Sequence, residues 1–159
     1  MIKTDKIIKF IVSIVICQLA GIIGSFFTAN SISTWYIGLA KPSFNPPNWV
    51  FAPVWTTLFI LMGVSLYLVW TKGFKAKGVK TGLLLFGVQL ILNILWSIIF
   101  FGLKNPLIAF IEILVLWIAI LLTIIKSYKV SRTAAYLLIP YILWVTFAAV
   151  LNLAIFILN

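Results

Sequence analysis

The sequence contains no histidine, one cysteine (Cys17) and only two acidic residues, Asp5 and Glu112, in 159 positions. Without histidine there is no His-ligated haem, no His-containing zinc site and no His-based catalytic triad. One cysteine excludes an intramolecular disulfide and a cysteine-rich metal cluster. Charge of either sign is scarce: 9% of residues are charged and 64% are hydrophobic. A soluble domain carries roughly 25% and 45–50%. That balance excludes an ordinary soluble domain, and it excludes disorder.

What the chain has instead is long apolar runs. The stretches 10–40, 42–71, 81–103 and 133–159 contain no Asp, Glu, Lys or Arg, and 105–125 contains only Glu112. A helix crosses a bilayer with about 20 mostly apolar residues. Residues 1–159 are therefore expected to form a single all-α integral membrane domain. Its five transmembrane helices fall at roughly 7–27, 51–71, 81–101, 106–126 and 134–157.

The basic residues sort by side. Lys3, Lys6, Lys9, Lys72, Lys75, Lys77, Lys80, Lys126, Lys129 and Arg132 fall on one side of a five-span chain, and only Lys41 and Lys104 on the other. This is a strong positive-inside signal. It predicts a cytoplasmic N-terminus, an external C-terminus and an external 28–50 connection. With no extension at either end, the expected host is a prokaryotic plasma membrane. The net charge of +10 then serves orientation and contact with the lipid bilayer's headgroups, and nucleic acid is not an expected partner.

The first segment starts basic and runs apolar, as a signal peptide does. The run is too long for one, no small-x-small cleavage site follows, and Ile16 before Cys17 breaks a lipoprotein-type site. It is taken as a true span. Ser13, Cys17, Gly21 and Ser25 recur every four residues in it, a small-residue stripe suited to close helix approach within the chain or between copies. The connection that follows is rich in proline and aromatics. Pro42, Pro46, Pro47 and Pro53 are four of the six prolines, and Trp35, Tyr36, Phe44, Trp49, Phe51 and Trp55 stand among them. Proline restricts its own backbone and its predecessor's, and the rings supply rigid contact area. Such a segment folds as a lid over the helix ends, or it lies as an interfacial aromatic belt.

Polar groups are costly in hydrocarbon, so their positions carry information. Gln89, Asn93, Trp96, Ser97 and Phe100 share one face of the third span. Tyr141, Trp144, Ala148 and Asn152 share one face of the fifth, and Trp55, Phe59 and Met62 one face of the second. These stripes should face one another. Gln89, Asn93 and Asn152 are then interhelical hydrogen-bond glue, or the faces line a pocket with aromatic walls and few polar anchors. Pro140 removes a backbone bond inside the fifth span and should kink it. Glu112 is the only acid within a span; it serves local packing or marks a functional carboxyl.

Three motifs resemble the TspO/MBR family of tryptophan-rich sensory proteins. The first is Trp35-Tyr36-x-x-Leu39-x-Lys41-Pro42-x-x-x-Pro46-Pro47-x-Trp49-Val50-Phe51-x-Pro53-Val54-Trp55. The second is Gln89-Leu90-x-Leu92-Asn93-x-x-Trp96-Ser97-x-x-Phe100-Phe101. The third is Leu138-x-Pro140-Tyr141-x-x-Trp144-x-x-Phe147-Ala148-x-x-Leu151-Asn152. They cover essentially the whole chain in collinear order, and Glu112 sits where many members carry Asp or Glu.

The resemblance implies a five-helix bundle whose Pro/Trp-rich first loop acts as a lid over a pocket. It implies a receptor or sensor that binds porphyrins such as protoporphyrin IX or haem, and in some members sterols and benzodiazepine-like drugs. The porphyrin is a ligand; no obligatory cofactor and no metal site are implied. Carried over residue by residue, the ligand site comprises Trp35, Tyr36, Pro46, Trp49, Trp55, Asn93, Trp96, Trp144 and Ala148. Lys41 is a candidate partner for the propionates, or it snorkels at the interface. Members have also been proposed to photo-degrade porphyrin, with Trp55 and Trp144 the catalytic candidates here, or to transport it. No acid–base or nucleophile constellation supports ordinary catalysis. Homodimers occur in the family, and the sequence assigns no interface face. Phe44 stands where the family commonly has Trp, and Trp49 stands where bacterial members vary. The tail 151–159 lacks the Tyr and basic residue of the family's sterol pattern, which speaks against high-affinity cholesterol binding.

Overall fold

A computed structural model of the chain describes residues 2–159; Met1 and the side chains of Ile2 and Lys3, the latter counted in the charge bias, lie outside the described residues. Helix α1 spans Ile2–Ile32, followed by a single 3₁₀ turn at Tyr36–Gly38. Helix α2 spans Asn48–Trp70, and α3 spans Val79–Ser97 and runs into a π turn at Ile98–Gly102. Helices α4 (Pro106–Val130), α5 (Arg132–Leu137) and α6 (Ile139–Leu158) complete the chain. Among the described residues, five helical segments are long and apolar enough to cross a membrane, the last made of α5 and α6 together. The protein is an integral membrane protein built as a five-span bundle. The helices run past the expected spans at most ends, by one to five residues, because helical hydrogen bonding continues into the interface after hydropathy has fallen.

Helix ends follow local chemistry. Asn105 caps α4 by accepting the Ile108 N–H at 3.0 Å, with Pro106 in the first turn, where its missing N–H costs nothing. Ser131 stops α4 in an extended conformation and caps α5 through the Ala134 N–H. Gly78, at φ 88°, occupies the left-handed turn that admits α3.

The packing order is set by two close approaches and one break. A methyl group on Gly63 of α2 would stand 2.9 Å from the Ile14 Cα and 3.2 Å from the Ser13 carbonyl oxygen of α1. Only glycine lets the two backbones meet there. Ser13 and Cys17 are fully buried at this crossing and Gly21 lies under the Phe59 ring, so three of the four small residues of α1 pack within the chain. On the far side, Ser65 of α2 donates to the Ala134 carbonyl of α5 at 2.8 Å, both residues fully buried. The fifth span then breaks. The expected kink at Pro140 is a full interruption: Leu138 closes a turn onto the Ala135 carbonyl at 3.1 Å, and α6 starts anew with Pro140 in its first turn. Below the break α5 packs on both α4 and α2; above it α6 stays on α4 and largely leaves α2. A space opens between α2 and α6 at the level of the first loop.

That loop is tied down at both ends of its 3₁₀ turn. Buried Tyr36 donates through its hydroxyl to Asn45 Oδ1 at 2.8 Å. Burial pushes this hydroxyl's pKa up, and the bond to Asn45 opposes the shift. Asn159, at the far end of α6, brackets Ala40: its Oδ1 accepts the Ala40 N–H at 2.9 Å and its Nδ2 donates to the Ala40 carbonyl at 3.0 Å.

Two outcomes follow from these contacts. Gly63→Ala should lower the thermal stability of the detergent-solubilised protein by about 1–3 kcal/mol, as overpacking does. Gly87→Ala, where an added methyl meets nothing within 4 Å, should leave it unchanged or slightly raised. Asn159→Ala should speed hydrogen exchange at the Ala40 amide while leaving the amides of α2 and α4 as slow as before, measurable by mass spectrometry.

Candidate functional site

The space under the loop is a cavity of about 440 Å³. Its walls come from α1, the start of α2, the end of α3 with its π turn, α4 and α6. Three indoles face it. Trp55 of α2 stacks on Phe59, with centroids 5.5 Å apart, and meets Tyr141 edge-on. Trp96 of α3 stacks on Phe100 at 5.0 Å. Trp144 of α6 packs against Phe51 and Phe147.

The π turn explains how Phe100 and Phe101, adjacent in sequence, both point inward. The extra residue per turn, closed by the Leu103 N–H onto the Ile98 carbonyl at 2.8 Å, swings both rings to the bundle side. They are 2% and 9% exposed. Such turns recur at functional positions in helices.

The polar groups at the wall are few and mostly engaged. Asn93 donates to the Tyr141 hydroxyl at 3.0 Å. Asn152 accepts the Trp96 indole N–H at 3.1 Å and donates to the Pro106 carbonyl at 2.8 Å, joining α3, α6 and α4. Both amides therefore glue helices together and line the cavity as well. The Trp144 Nε1 is buried and has no hydrogen-bond partner.

Of the nine expected ligand residues, the cavity gathers Tyr36, Trp55, Asn93, Trp96, Trp144 and Ala148. The other three stand elsewhere. Trp35 meets the edge of Phe100 from the far side and borders a shallow outer groove beside Lys104. Half-buried Pro46 lies in the loop with its carbonyl accepting from Asn45 Nδ2. Trp49 is 74% exposed. Lys41 lies off the cavity as well: its ammonium sits 4.7 Å from the Tyr36 ring centroid and donates to the Leu39 and Ile37 carbonyls. Gln89 shares a helical face with Asn93 but is packed out of the cavity, and both its amide atoms are without partners. Glu112 is buried in α4, also unpartnered and also off the wall.

Sequence reasoning missed the contribution of α1, which supplies a whole wall including Gln18, Gly21, Ser25, Thr28 and Ile32. These positions fall at offsets 0, 3, 7, 10 and 14, one helical face, and three of the five are polar. That pattern was the available signal.

The amino-acid sequence of this chain can be set beside known ones. Residues 13–158 match the TspO/MBR family. The chain is 49% identical over 155 residues to the tryptophan-rich protein TspO of Archaeoglobus fulgidus, covering 97% of this chain and 99% of that one. It is 46% identical over 154 residues to the protein of the same name from Chlorobaculum tepidum, covering 97% and 98%. It is 43% identical over 132 residues to the translocator protein of Homo sapiens, covering 82% and 78%. With a matching family pattern along nearly its whole length, five apolar spans and the three motifs converging on one cavity, the chain belongs to the TspO/MBR family.

Proposed function

We propose that this protein is a membrane receptor or sensor that binds a flat tetrapyrrole of the protoporphyrin IX class in the cavity beneath its first loop. The observation that carries the reading is the convergence of Trp55, Trp96 and Trp144 on one space of about 440 Å³. Small-molecule pockets run from about 300 to 1,000 Å³ with apolar walls and a few polar anchors. A macrocycle presents a broad π face, and each well-placed aromatic pair adds ~0.5–1.5 kcal/mol beyond burial. With no histidine in the chain, recognition rests on ring faces rather than on an imidazole bound to iron, so metal-free porphyrin is a suitable ligand. The loop serves as the lid, held by Tyr36 and Asn159. The charge bias supports an orientation with the N-terminus cytoplasmic and the loop outside.

Titration of the detergent-solubilised protein with protoporphyrin IX in the dark should give saturable quenching of tryptophan fluorescence. Trp144→Ala should weaken it about tenfold, equivalent to about 1.4 kcal/mol. Trp49→Ala, whose side chain stands outside the cavity, should bind as wild type does. A folded wild-type protein without saturable quenching would refute the reading. Bleaching of the bound porphyrin under light, lost in Trp144→Phe, would shift it from receptor to photo-oxidative enzyme.

A further inference from the structure

The seam between α1 and α2 can be followed residue by residue. On α1 the face toward α2 carries Ile14, Gln18, Ile22, Ser25 and Ala29; on α2 the opposing face carries Gly63, Phe59, Thr56 and Ala52. The two helices are locked at Gly63 against Ile14 and at Gly21 under Phe59. Another direct tie is the Gln18 amide donating to the Thr56 carbonyl at 3.3 Å. Beyond it toward the loop the seam parts. Ile22, Ser25, Ala29, Ala52 and Thr56 all line the cavity, and all five are exposed on the outside of the bundle. Residues that belong to an internal space and to the outer surface at once mark where that space opens.

The depth of the opening decides what it opens onto. Ser25 and Ile22 lie seven and ten residues before the end of α1, which at a rise of 1.5 Å per residue is about 10–15 Å below the helix end. Both residues also fall within the expected first span, 7–27, and so within the hydrocarbon layer of about 30 Å. The cause of the parting is also visible. The upper half of α1 is drawn to α3: Ser31 donates to the Phe101 carbonyl at 2.8 Å. Phe27 and Gly24 pack against Gly102 and Ser97. Helix α1 thus crosses from α2 to α3 as it rises.

We propose that ligands reach the cavity sideways, out of the bilayer leaflet on the loop side, through this parted seam. The proposal rests on the ligand-binding reading above and adds the ligand's source: a flat, largely apolar amphiphile already dissolved in lipid. The seam suits such a passage. Its side chains are small apart from Ile22, and its two hydroxyls are turned back onto their own helices, Ser25 to the Ile22 carbonyl and Thr56 to the Ala52 carbonyl. A passing ring therefore meets no unpaired hydroxyl there. The aqueous route is obstructed by contrast, since the loop is held through Tyr36 to Asn45 and through Ala40 to Asn159.

The test is kinetic and uses the full chain in liposomes, with protoporphyrin IX supplied from the bilayer and tryptophan quenching followed by stopped flow. Narrowing the seam with Ser25→Leu together with Ala52→Leu should slow association and dissociation together by about tenfold or more, so that affinity moves far less than either rate. Widening it with Ala52→Gly should raise both rates, which guards against a misfolded narrow variant. Asn159→Ala, which frees the loop, should leave both rates as in wild type. Seam variants with wild-type rates, or rates that respond to Asn159→Ala alone, would overturn the lateral route while leaving equilibrium binding intact. Absence of saturable binding in the wild type would instead overturn the ligand reading itself.

Discussion

A bilayer core offers backbone amides no water to bond with, so a chain inside it is committed to helices that satisfy themselves. Everything distinctive in this structure is a local answer to that constraint. Two spans depart from regular α-helix: the π turn lines the cavity with Phe100 and Phe101, and the break lies on the span that carries Trp144 and Ala148 to it. The π turn at Ile98–Gly102 keeps its hydrogen bonds by reaching one residue further. The break at Leu138 is bridged by a turn, and α6 restarts where Pro140 has no N–H to lose. A regular third span would turn Phe100 and Phe101 about 100° apart.

The same constraint governs the side chains. Asn93 and Asn152 lie at the cavity wall, yet each is bonded to another span, to Tyr141, Trp96 or the Pro106 carbonyl. A polar group that must be satisfied anyway serves packing and pocket together. For these two residues both of the alternatives posed by the stripe hold, whereas Gln89, unpartnered and off the cavity, fits neither. The walls are therefore stiff: the rings that line the space are locked by neighbours and by bonds that cross helices.

Much of this was legible from the residues. The runs with at most one charge located all five spans, because transfer to lipid depends chiefly on composition. The faces bearing Trp55, Asn93, Trp96 and Trp144 were legible because helical periodicity makes direction readable. The loop was not. Trp35 and Pro46 sit in a segment with no repeat, so nothing local tells which way a side chain turns, and Trp49, in the first turn of α2 ahead of that span's expected start, points outward. The π turn was hidden because Trp96 and Phe100 also fit ordinary helical spacing. The wall from α1 was overlooked because its small residues had an adequate use in packing, and Ser13 and Cys17 do serve that use.

The bracket that Asn159 places on Ala40 spans 119 positions of sequence. A membrane chain is delivered span by span from its N-terminal end, at roughly 5–20 residues per second. The loop and the first two spans are thus in place seconds before the residue that secures the loop has been synthesised. During that interval the aromatic walls supplied by α6 are also missing, and Trp55 faces lipid. Completion of the site waits for the fifth span, and a chain arrested before it would lack the wall that Trp144, Ala148 and Asn152 supply.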